Sequence, residues 1–257
     1  MLEAVSHRLH AKSAALLFSI ENGLPRIMTG WFIAAMAASA LRIAFSPLPV
    51  APEMATMLPY FLLVAAPLVS MGLALKWFAD AERLEQPSTR LAIVGRWRKV
   101  ERAEAQAHPL YGTSGIMVSL LVGMLLNVPV RALEYLAAIP ALSGPVPHWL
   151  STLHLAMTFD VVLLSSLYTI AFVAALRRVP LFPRLLAAIW IIDIAMQLGI
   201  AAAVAGTDGL PPKVAAALHS LLDGNAKKVL ISVALWLPYL LMSKRVNVTF
   251  RHRVDVA

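Results

Sequence analysis

The chain has 257 residues, of which 60% are hydrophobic and 14% are charged, and its mean hydropathy is +0.74. An ordinary soluble domain is about half apolar and about a quarter charged, so this composition excludes a soluble protein. The absence of cysteine excludes disulfides, thiolate metal sites and cysteine nucleophiles. The net charge of +8 does not indicate nucleic acid, because the basic residues lie beside apolar segments, where anionic lipid headgroups are the simpler partner.

Six segments are apolar and long enough to cross a membrane as helices. A span needs about 20 mostly apolar residues, because a helix rises about 1.5 Å per residue. The sixth segment counts as a span only if Lys227 and Lys228 extend from its first turn toward water. The sequence therefore predicts an all-α polytopic bundle of six transmembrane helices, over residues 27–45, 57–78, 115–130, 152–176, 185–204 and about 226–242.

The distribution of basic residues predicts the direction in which the chain crosses the membrane. Cytoplasmic loops carry an excess of Lys and Arg, and moving either terminus outside while keeping six spans reverses this bias. We therefore predict that both termini are cytoplasmic. Of the 22 Lys and Arg residues, 17 then lie inside, and those outside are Arg42, Arg131, Lys213, Lys227 and Lys228.

The polar stretches divide the chain into four parts. Residues 1–25 form an N-terminal segment, in which residues 3–22 are either an amphipathic helix at the membrane interface or a frayed tail. Residues 26–78 form a two-span unit, and residues 79–111 form a basic cytoplasmic linker. Residues 112–257 form a four-span unit.

The linker contains a candidate for a helix on the membrane surface. Leu91, Val94, Trp97 and Val100 recur at near-helical spacing, and basic residues lie between them. This composition is typical of a helix on an anionic leaflet, and the alternative is a solvated linker helix. The predicted lipid-contacting residues are Arg96, Trp97, Arg98, Lys99 and Arg102.

Two motifs in the C-terminal half carry a resemblance to a known family. The chain ends in Trp236-Leu237-Pro238-Tyr239 and then Ser243-Lys244-Arg245-Val246-Asn247-Val248-Thr249-Phe250, and Phe182-Pro183 lies in a basic turn before the fifth span. Together these motifs resemble a bacterial family of small four-span inner-membrane proteins, catalogued as a domain of unknown function, over about residues 110–257. The resemblance implies a four-helix unit in a bacterial inner membrane, and it imports no catalytic residues.

The C-terminal motif has two interpretations on physical grounds. A membrane anchor with a basic end accounts for Lys244 and Arg245, and Trp236 and Tyr239 could anchor the span at the headgroup level. This anchor interpretation does not account for Thr249-Phe250. A docking role for the tail is the alternative.

Two aspartates lie inside predicted spans, where a charged side chain is costly. Asp160 lies in the outer half of the fourth span, and Asp193 lies near the middle of the fifth. A carboxylate near the bilayer centre costs at least ~2.5 kcal/mol and usually needs a partner or water. The short turn between these spans makes them antiparallel neighbours, so the two acids can face each other at heights about 8 Å apart. Gln197, one turn from Asp193, extends this polar stripe.

The sequence leaves three interpretations of these acids. In the first, each acid hydrogen-bonds across helices or pairs with a membrane arginine, for which Arg42 and Arg131 are available. In the second, the acids relay a proton or hold a cation. In the third, they bind a ligand or a partner subunit. Arg131 and Glu134, three residues apart, are predicted to form a local ion pair.

Signatures of enzymes and metal sites do not occur in a compatible context in the sequence. His148 and His154 flank the start of the fourth span without a third ligand, so no metal site is predicted. No cofactor is predicted, although an apolar membrane surface could bind a lipid or a pigment without a motif. We predict a non-enzymatic accessory or interaction subunit of a membrane complex, whose partners are membrane lipids and an integral membrane protein. The alternative is a small proton- or cation-coupled carrier that uses Asp160 and Asp193.

Overall fold

The structure, a computed structural model, describes residues 2–46, 53–88 and 95–256. Helices account for most of these residues, and two short strands pair with each other. In chain order the elements are α1 (Leu2–Ala44), α2 (Met54–Trp77), a 3-10 turn (Ala81–Arg83), β1 (Trp97–Lys99), α3 (Arg102–Ala107), α4 (Ile116–Ala138), α5 (His148–Leu176), α6 (Phe182–Ala205), α7 (Pro212–Met242), α8 (Lys244–Arg251) and β2 (Arg253–Asp255).

The bundle has the helices of a multi-pass membrane protein. In the described part of the chain, five helices are long and apolar enough to cross a membrane, and a sixth is counted if α7 and α8 form one bent span. α8 is inclined by 70° to α7 and carries Lys244, Arg245 and Arg251. Because charges at this density are costly in hydrocarbon, we treat α8 as a surface helix, and α7 by itself is then outside the five. The predicted all-α class is confirmed, with five or six apolar helices.

α5 is the central helix of the bundle. It packs against α2, α4 and α6, while α1 packs on α2 and α4, and α7 packs on α6. Residues 171–176 of α5 are buried in a large apolar core near α8. We call this end of the bundle the basic end, because it also holds Arg177, Arg178 and Arg184. A second apolar core around Tyr135 fills the opposite end.

α1 is longer than the predicted first span. It runs without a break through the predicted junction between residues 3–22 and a span that starts at residue 27. Pro25 lies inside this helix, where it removes one backbone donor. Leu17 and Leu24 are buried in the core of the basic end, so packing against the bundle holds the helix on the N-terminal side of the proline. The predicted boundary at residue 25 is therefore not a break in the backbone.

α4 and α7 also extend beyond the predicted spans. α4 continues past residue 130 to Ala138, because the charge of Arg131, which marked the end of the predicted span, is paired inside the bundle. α7 begins at Pro212, well before residue 226, where the predicted sixth span starts. Part of the predicted outer loop is therefore helical.

The linker and the C-terminal tail are joined by a two-stranded antiparallel sheet at the basic end. In this sheet Trp97 is opposite Asp255, and Lys99 is opposite Arg253. The ladder continues beyond the strands, since the backbone N of Val100 donates to the carbonyl oxygen of His252 at 3.0 Å. The sheet therefore fastens the linker to the tail.

The predicted surface helix around Trp97 is wrong where the structure describes it. Residues 97–99 are a strand, and Gly95, whose φ is +95°, has a backbone conformation that does not fit a helix. Leu91 and Val94, which begin the predicted helix, lie outside the described residues. The basic character of this surface is retained, because Arg96, Arg98 and Lys99 are exposed and Arg102 is half-buried.

The strand register predicts which pair of engineered cysteines will form a disulfide. Trp97 and Asp255 are a non-hydrogen-bonded pair, because they lie between hydrogen-bonded pairs of the ladder. The Cβ atoms of directly opposite residues in such a pair are about 4.5–5.5 Å apart. We expect Trp97→Cys with Asp255→Cys to oxidise within one chain, measured as loss of maleimide labelling in denatured protein. Trp97→Cys with Val254→Cys is the matched control, since those side chains point to opposite faces. Equal oxidation of the two pairs would contradict the register.

Candidate functional site: a buried arginine between two aspartates

Three helices each bring one charged residue to the same place in the bundle. Arg131 lies on α4, Asp160 on α5 and Asp193 on α6. The place lies between the two apolar cores, because on α6 Trp190 belongs to the core of the basic end and Ile200 to the core of the opposite end. The charged groups are therefore enclosed by protein, and the side chains of Arg131, Asp160 and Asp193 are 11%, 5% and 0% exposed.

Arg131 binds both carboxylates at the same time. Its Nη1 donates to Oδ2 of Asp160 at 2.8 Å. Its Nη2 donates to Oδ2 and Oδ1 of Asp193 at 2.8 and 3.0 Å. Hydrogen bonds between ionised groups are among the stronger ones in proteins. One planar guanidinium therefore cross-links α4, α5 and α6.

Two further side chains complete this polar group. The Tyr168 hydroxyl donates to Oδ2 of Asp193 at 2.9 Å. Nε2 of Gln197 donates to Oδ1 of Asp160 at 3.2 Å and lies 3.4 Å from Oδ1 of Asp193. We call Arg131, Asp160, Tyr168, Asp193 and Gln197 the Arg131 cluster.

A chain of polar side chains connects the Arg131 cluster to the surface of the bundle. Nδ2 of Asn225 on α7 donates to Oε1 of Gln197 at 3.4 Å, and Nζ of Lys228 donates to Oδ1 of Asn225 at 3.3 Å. Lys228 also forms an ion pair with Glu134 of α4. The side chains of Lys228 and Glu134 are 59% and 33% exposed, so the chain links a buried site to an accessible ion pair.

A small and a larger cavity border the Arg131 cluster, in addition to a pocket of only about 10 Å³ against Asp160. The smaller, of about 60 Å³, is lined by polar groups that include Tyr168, Lys228 and Asn127. A polar cavity of this size has room for water. The larger, of about 430 Å³, is mostly apolar, lies between α6 and α7, and has Gln197 in its wall. Gln197 therefore contacts both carboxylates and the larger cavity.

The charges within the Arg131 cluster do not balance when both acids are ionised. Asp160 and Asp193 would carry two negative charges against the single positive charge of Arg131, and the Lys228–Glu134 pair adds no net charge. An uncompensated charge in a buried site is costly. Two carboxylates that share one site favour a state in which one of them is protonated. The Arg131 cluster therefore has one negative charge in excess when both acids are ionised.

The Arg131 cluster is closed on the side that faces the basic end. The hydroxyls of Ser166 and Thr169 on α5 donate to carbonyl oxygens of their own helix at 2.7 Å. Leu164, Phe172 and Ile189, each at most 1% exposed, fill the space on this side. Polar access to the cluster is therefore from the side of the Lys228–Glu134 pair.

The structure brings together four of the five predicted intramembrane residues, Asp160, Asp193, Gln197 and Arg131. The two acids reach one guanidinium despite the offset of about 8 Å expected between their positions along the helices. The length of the arginine side chain and its two terminal nitrogens bridge this offset. Of the three interpretations of the acids, the arginine pairing describes the observed contacts.

Of the two available cations, Arg131 rather than Arg42 pairs with the acids, and the predicted Arg131–Glu134 pair is wrong. Arg42 does not reach the acids, because its Nε donates to the carbonyl oxygen of Ile139 at 3.1 Å, where it satisfies the C-terminal end of α4. Arg131 does not pair with Glu134, which instead binds Lys228 on α7. Contacts between helices replace the local contact, because Arg131 faces the bundle interior.

Sequence reasoning missed Tyr168 and Asn225 as members of this network. Tyr168 lies about two helical turns after Asp160 on α5, so helical spacing alone could have identified it. Asn225 was assigned to the loop before the sixth span, and only the longer α7 brings it to Gln197.

The family-like tail docks onto its own chain at the basic end. Residues 246–250 of α8 are buried, and the Phe250 ring lies 5.0 Å from the Phe182 ring, measured between centroids. The backbone N of Gly112 donates to Oγ1 of Thr249 at 3.0 Å. The two motifs that carry the family resemblance therefore contact each other, and docking accounts for Thr249 and Phe250.

Other motif residues shape the junction between α7 and α8. Trp236 and Tyr239 pack edge to face, with centroids 5.9 Å apart, and α7 continues through Pro238 to Met242. Nη1 of Arg245 donates to Oγ of Ser114 at 2.9 Å. The remaining motif residues are Pro183 in the first turn of α6, Ser243 between α7 and α8, Lys244 paired with Asp255, and the buried Val246.

His252 connects the tail to the linker. It follows α8 with a left-handed backbone, at φ +47°, and its Nδ1 lies 3.4 Å from Nε2 of Gln86. Burial, and to a lesser extent the charge of Arg102, lower the pKa of His252. The neutral ring is therefore favoured in the docked tail.

The two predicted non-ligand histidines make other contacts. Nδ1 of His148 is 3.1 Å from Oγ1 of Thr152, and the ring of His154 is tilted against Tyr135 at 6.5 Å. Among the residues that the structure describes, no group of three or more His, Asp or Glu side chains is arranged to hold a metal ion.

Comparison of the chain with protein-family models, with curated proteins and with solved structures finds no match. The resemblance of residues 110–257 to a four-span bacterial family therefore stays a prediction.

Proposed function

We propose that this protein is a proton-linked membrane carrier in which Asp160 and Asp193 share one exchangeable proton. The observation that carries this proposal is that a single guanidinium faces two buried carboxylates. When the site binds one proton, its net charge is zero. Release of the proton restores one net negative charge, and burial of that charge in the bundle costs free energy. Arg131 occupies the position between the carboxylates that a metal cation would need, which favours a proton over a metal cation.

The surroundings of the Arg131 cluster support exchange with one side at a time. Asn225, Lys228 and the small polar cavity offer a path from the surface. The apolar core closes the path toward the basic end. A carrier needs this asymmetry, and transport would follow from a rearrangement that opens the opposite side.

The larger cavity supports the coupling of the proton to a solute. A solute in the cavity between α6 and α7 would contact Gln197, whose Nε2 donates to the shared carboxylates. Protonation of Asp160 or Asp193 changes the hydrogen bonds that Gln197 can donate to these acids. Binding of a solute in the cavity and binding of the proton would therefore affect each other.

The proposed location is a bacterial inner membrane with both termini in the cytoplasm. The bacterial assignment follows from the family resemblance of residues 110–257. The orientation is supported by the clustering of Arg177, Arg178, Arg184 and the bases of α8 at one end of the bundle, since cytoplasmic ends are rich in Lys and Arg.

Proton movement in reconstituted vesicles tests the proposed function. Vesicles that contain the protein and a pH-sensitive dye are exposed to fractionated small-molecule extracts as sources of the unidentified solute. We expect at least one fraction to drive proton flux, and Asp193→Asn to lower that flux by about tenfold or more, because a carboxamide cannot exchange the proton.

The matched control is Asp208→Asn, which makes the same change at an exposed acid in the loop after α6. It should leave the flux unchanged. Flux that survives in the double variant Asp160→Asn with Asp193→Asn would contradict the proposal. So would the absence of flux in wild-type vesicles with every fraction.

An accessory or interaction subunit is the second candidate function. It is favoured by the cross-linking of α4, α5 and α6 through Arg131, because a bundle tied in this way can serve as a fixed scaffold. Affinity capture after gentle detergent extraction, followed by mass spectrometry, distinguishes the two candidates. A stoichiometric integral-membrane partner supports the subunit, whereas recovery of the protein alone under conditions that preserve known complexes supports the carrier.

A further inference from the structure

A polar pocket of about 360 Å³ lies at the basic end, where α1 meets the ends of α2 and α5. Its charged lining residues are Glu21 of α1 and the two arginines that follow α5, Arg177 and Arg178. Leu24 and Leu176 belong to its apolar wall. The pocket therefore presents one negative and two positive side chains beside an apolar surface.

The opposite charges in this pocket do not pair with each other. The ion pairs in the described part of the chain include neither Glu21 nor either of the two arginines. Nε of Arg178 is also buried without a hydrogen-bond partner. Buried donors in native proteins almost always have a partner. The pocket therefore suits a ligand that carries both an anionic and a cationic group.

Arg178 occupies a position at the end of α5 where glycine is the usual residue. Its φ is +58°, and the backbone N of Val179 donates across the turn to the carbonyl oxygen of Ala174 at 2.8 Å. Glycine is preferred in such a turn because it has no Cβ. The guanidinium carbon of Arg178 lies 5.5 Å from the centroid of the Tyr111 ring, which is a cation–π distance. The turn and the ring together restrict where the guanidinium can lie.

The pocket lies at the level of the lipid headgroups. The helices α2 and α5 are long and apolar enough to cross a membrane, and they end beside it at Trp77 and Leu176. The Trp77 side chain is 60% exposed, and tryptophan is enriched where a span meets the membrane surface. A phospholipid is therefore favoured over a free zwitterion, because its acyl chains can contact the apolar surface of the bundle at the same time.

We propose that this pocket binds the headgroup of an aminophospholipid, which carries a phosphate and a primary ammonium. Arg177 and Arg178 bind the phosphate, because a guanidinium can donate two hydrogen bonds to it at once. The Glu21 carboxylate accepts hydrogen bonds from the ammonium. This proposal does not depend on the carrier function, since the pocket is separate from the Arg131 cluster.

Native mass spectrometry of the purified full-length protein in neutral detergent tests this site. The protein is titrated with phosphatidylethanolamine, and phosphatidylcholine with the same acyl chains is the comparison, because its methylated ammonium has no N–H to donate. We expect phosphatidylethanolamine to bind about tenfold more tightly. Glu21→Gln should abolish this preference, and Arg177→Gln with Arg178→Gln should weaken the binding of both lipids by about tenfold or more.

The matched controls change exposed residues of the basic end that do not line the pocket. Glu101→Gln replaces an exposed acid, and Arg96→Gln with Lys99→Gln removes two exposed positive charges. Both controls should keep the wild-type affinity and preference. Glu21 and Arg177 are exposed, so their single Gln variants should fold and decide the outcome if the double arginine variant does not fold.

Four results would overturn the proposal. Equal binding of the two lipids would mean that the primary ammonium is not recognised. A preference that survives in Glu21→Gln would mean that this carboxylate does not bind the ammonium. An equal loss of affinity in the controls would mean diffuse attraction to the basic surface. Displacement of phosphatidylethanolamine by an equal concentration of soluble glycerophosphoethanolamine would identify a free zwitterion, rather than a lipid, as the ligand.

Discussion

Replacing Arg131 with Gln is expected to lower the free energy of unfolding by about 3–5 kcal/mol at neutral pH. The variant leaves Asp160 and Asp193 buried without a cation, and burial of unpaired charges is strongly destabilising. Thermal or denaturant unfolding in a mild detergent measures this loss. The loss should shrink as the solution is acidified, because protonation removes the charges that Arg131 compensates.

A matched series separates charge compensation from loss of packing. Arg98→Gln removes an arginine from an exposed pair with Glu104 and should cost less than about 1 kcal/mol. Adding Asp160→Asn and Asp193→Asn to Arg131→Gln should recover most of the stability, since the guanidinium and both carboxyl groups are then absent. Two results would contradict stabilisation by the pairing of Arg131 with the two acids. One is an equal loss of unfolding free energy in Arg131→Gln and Arg98→Gln. The other is a triple variant that is no more stable than Arg131→Gln alone.

The residues of the Arg131 cluster could be predicted from the sequence more readily than their contacts. Asp160 and Asp193 stand out because carboxylates are rare in apolar spans, and the short turn before α6 makes their helices neighbours. The sequence pattern could not decide whether Arg42 or Arg131 pairs with the two acids. That choice depends on helix rotation, which is set by packing of whole helix faces rather than by spacing along one helix.

The lengths of the helices were predicted less well for a related reason. A charge in an apolar segment, such as Arg131, marks the end of a span when its partner is unknown, yet α4 continues for two more turns. The boundary predicted at residue 25 likewise does not break α1, because Leu17 and Leu24 pack in the core on the N-terminal side of that residue. In both cases tertiary contacts supply what the local sequence lacks, and they are not visible in hydropathy.

The strand at residues 97–99 was missed because its partner lies at the far end of the chain. Trp97 and Val100 fit a helical period, but backbone pairing with residues 253–255 and the positive φ of Gly95 select the extended form. Pairing at so large a sequence separation leaves no local signal. The contact between Phe250 of the tail and Phe182 likewise joins segments that are far apart in the sequence, so spacing along the chain did not predict it.

Replacing Phe250 with Ala is expected to lower the free energy of unfolding by about 3–5 kcal/mol. The Phe250 ring is 1% exposed, and it packs on Phe182, which is fully buried. The truncation leaves a cavity where α8 meets the start of α6 and weakens the hold of the tail on the bundle. Phe159→Ala is the matched control, because the Phe159 side chain is 57% exposed on the outer face of α5 and leaves no cavity.

A double-mutant cycle shows whether the turn at Phe182 and the C-terminal tail stabilise each other or only share a core. Phe182→Ala should cost about as much as Phe250→Ala, and a direct ring contact should give a coupling of about 0.5–1.5 kcal/mol between them. Unfolding in detergent measures the four proteins of the cycle under one set of conditions. Additive losses would mean that the rings are neighbours without mutual stabilisation, and equal losses for Phe159→Ala and Phe250→Ala would contradict the docking of the tail.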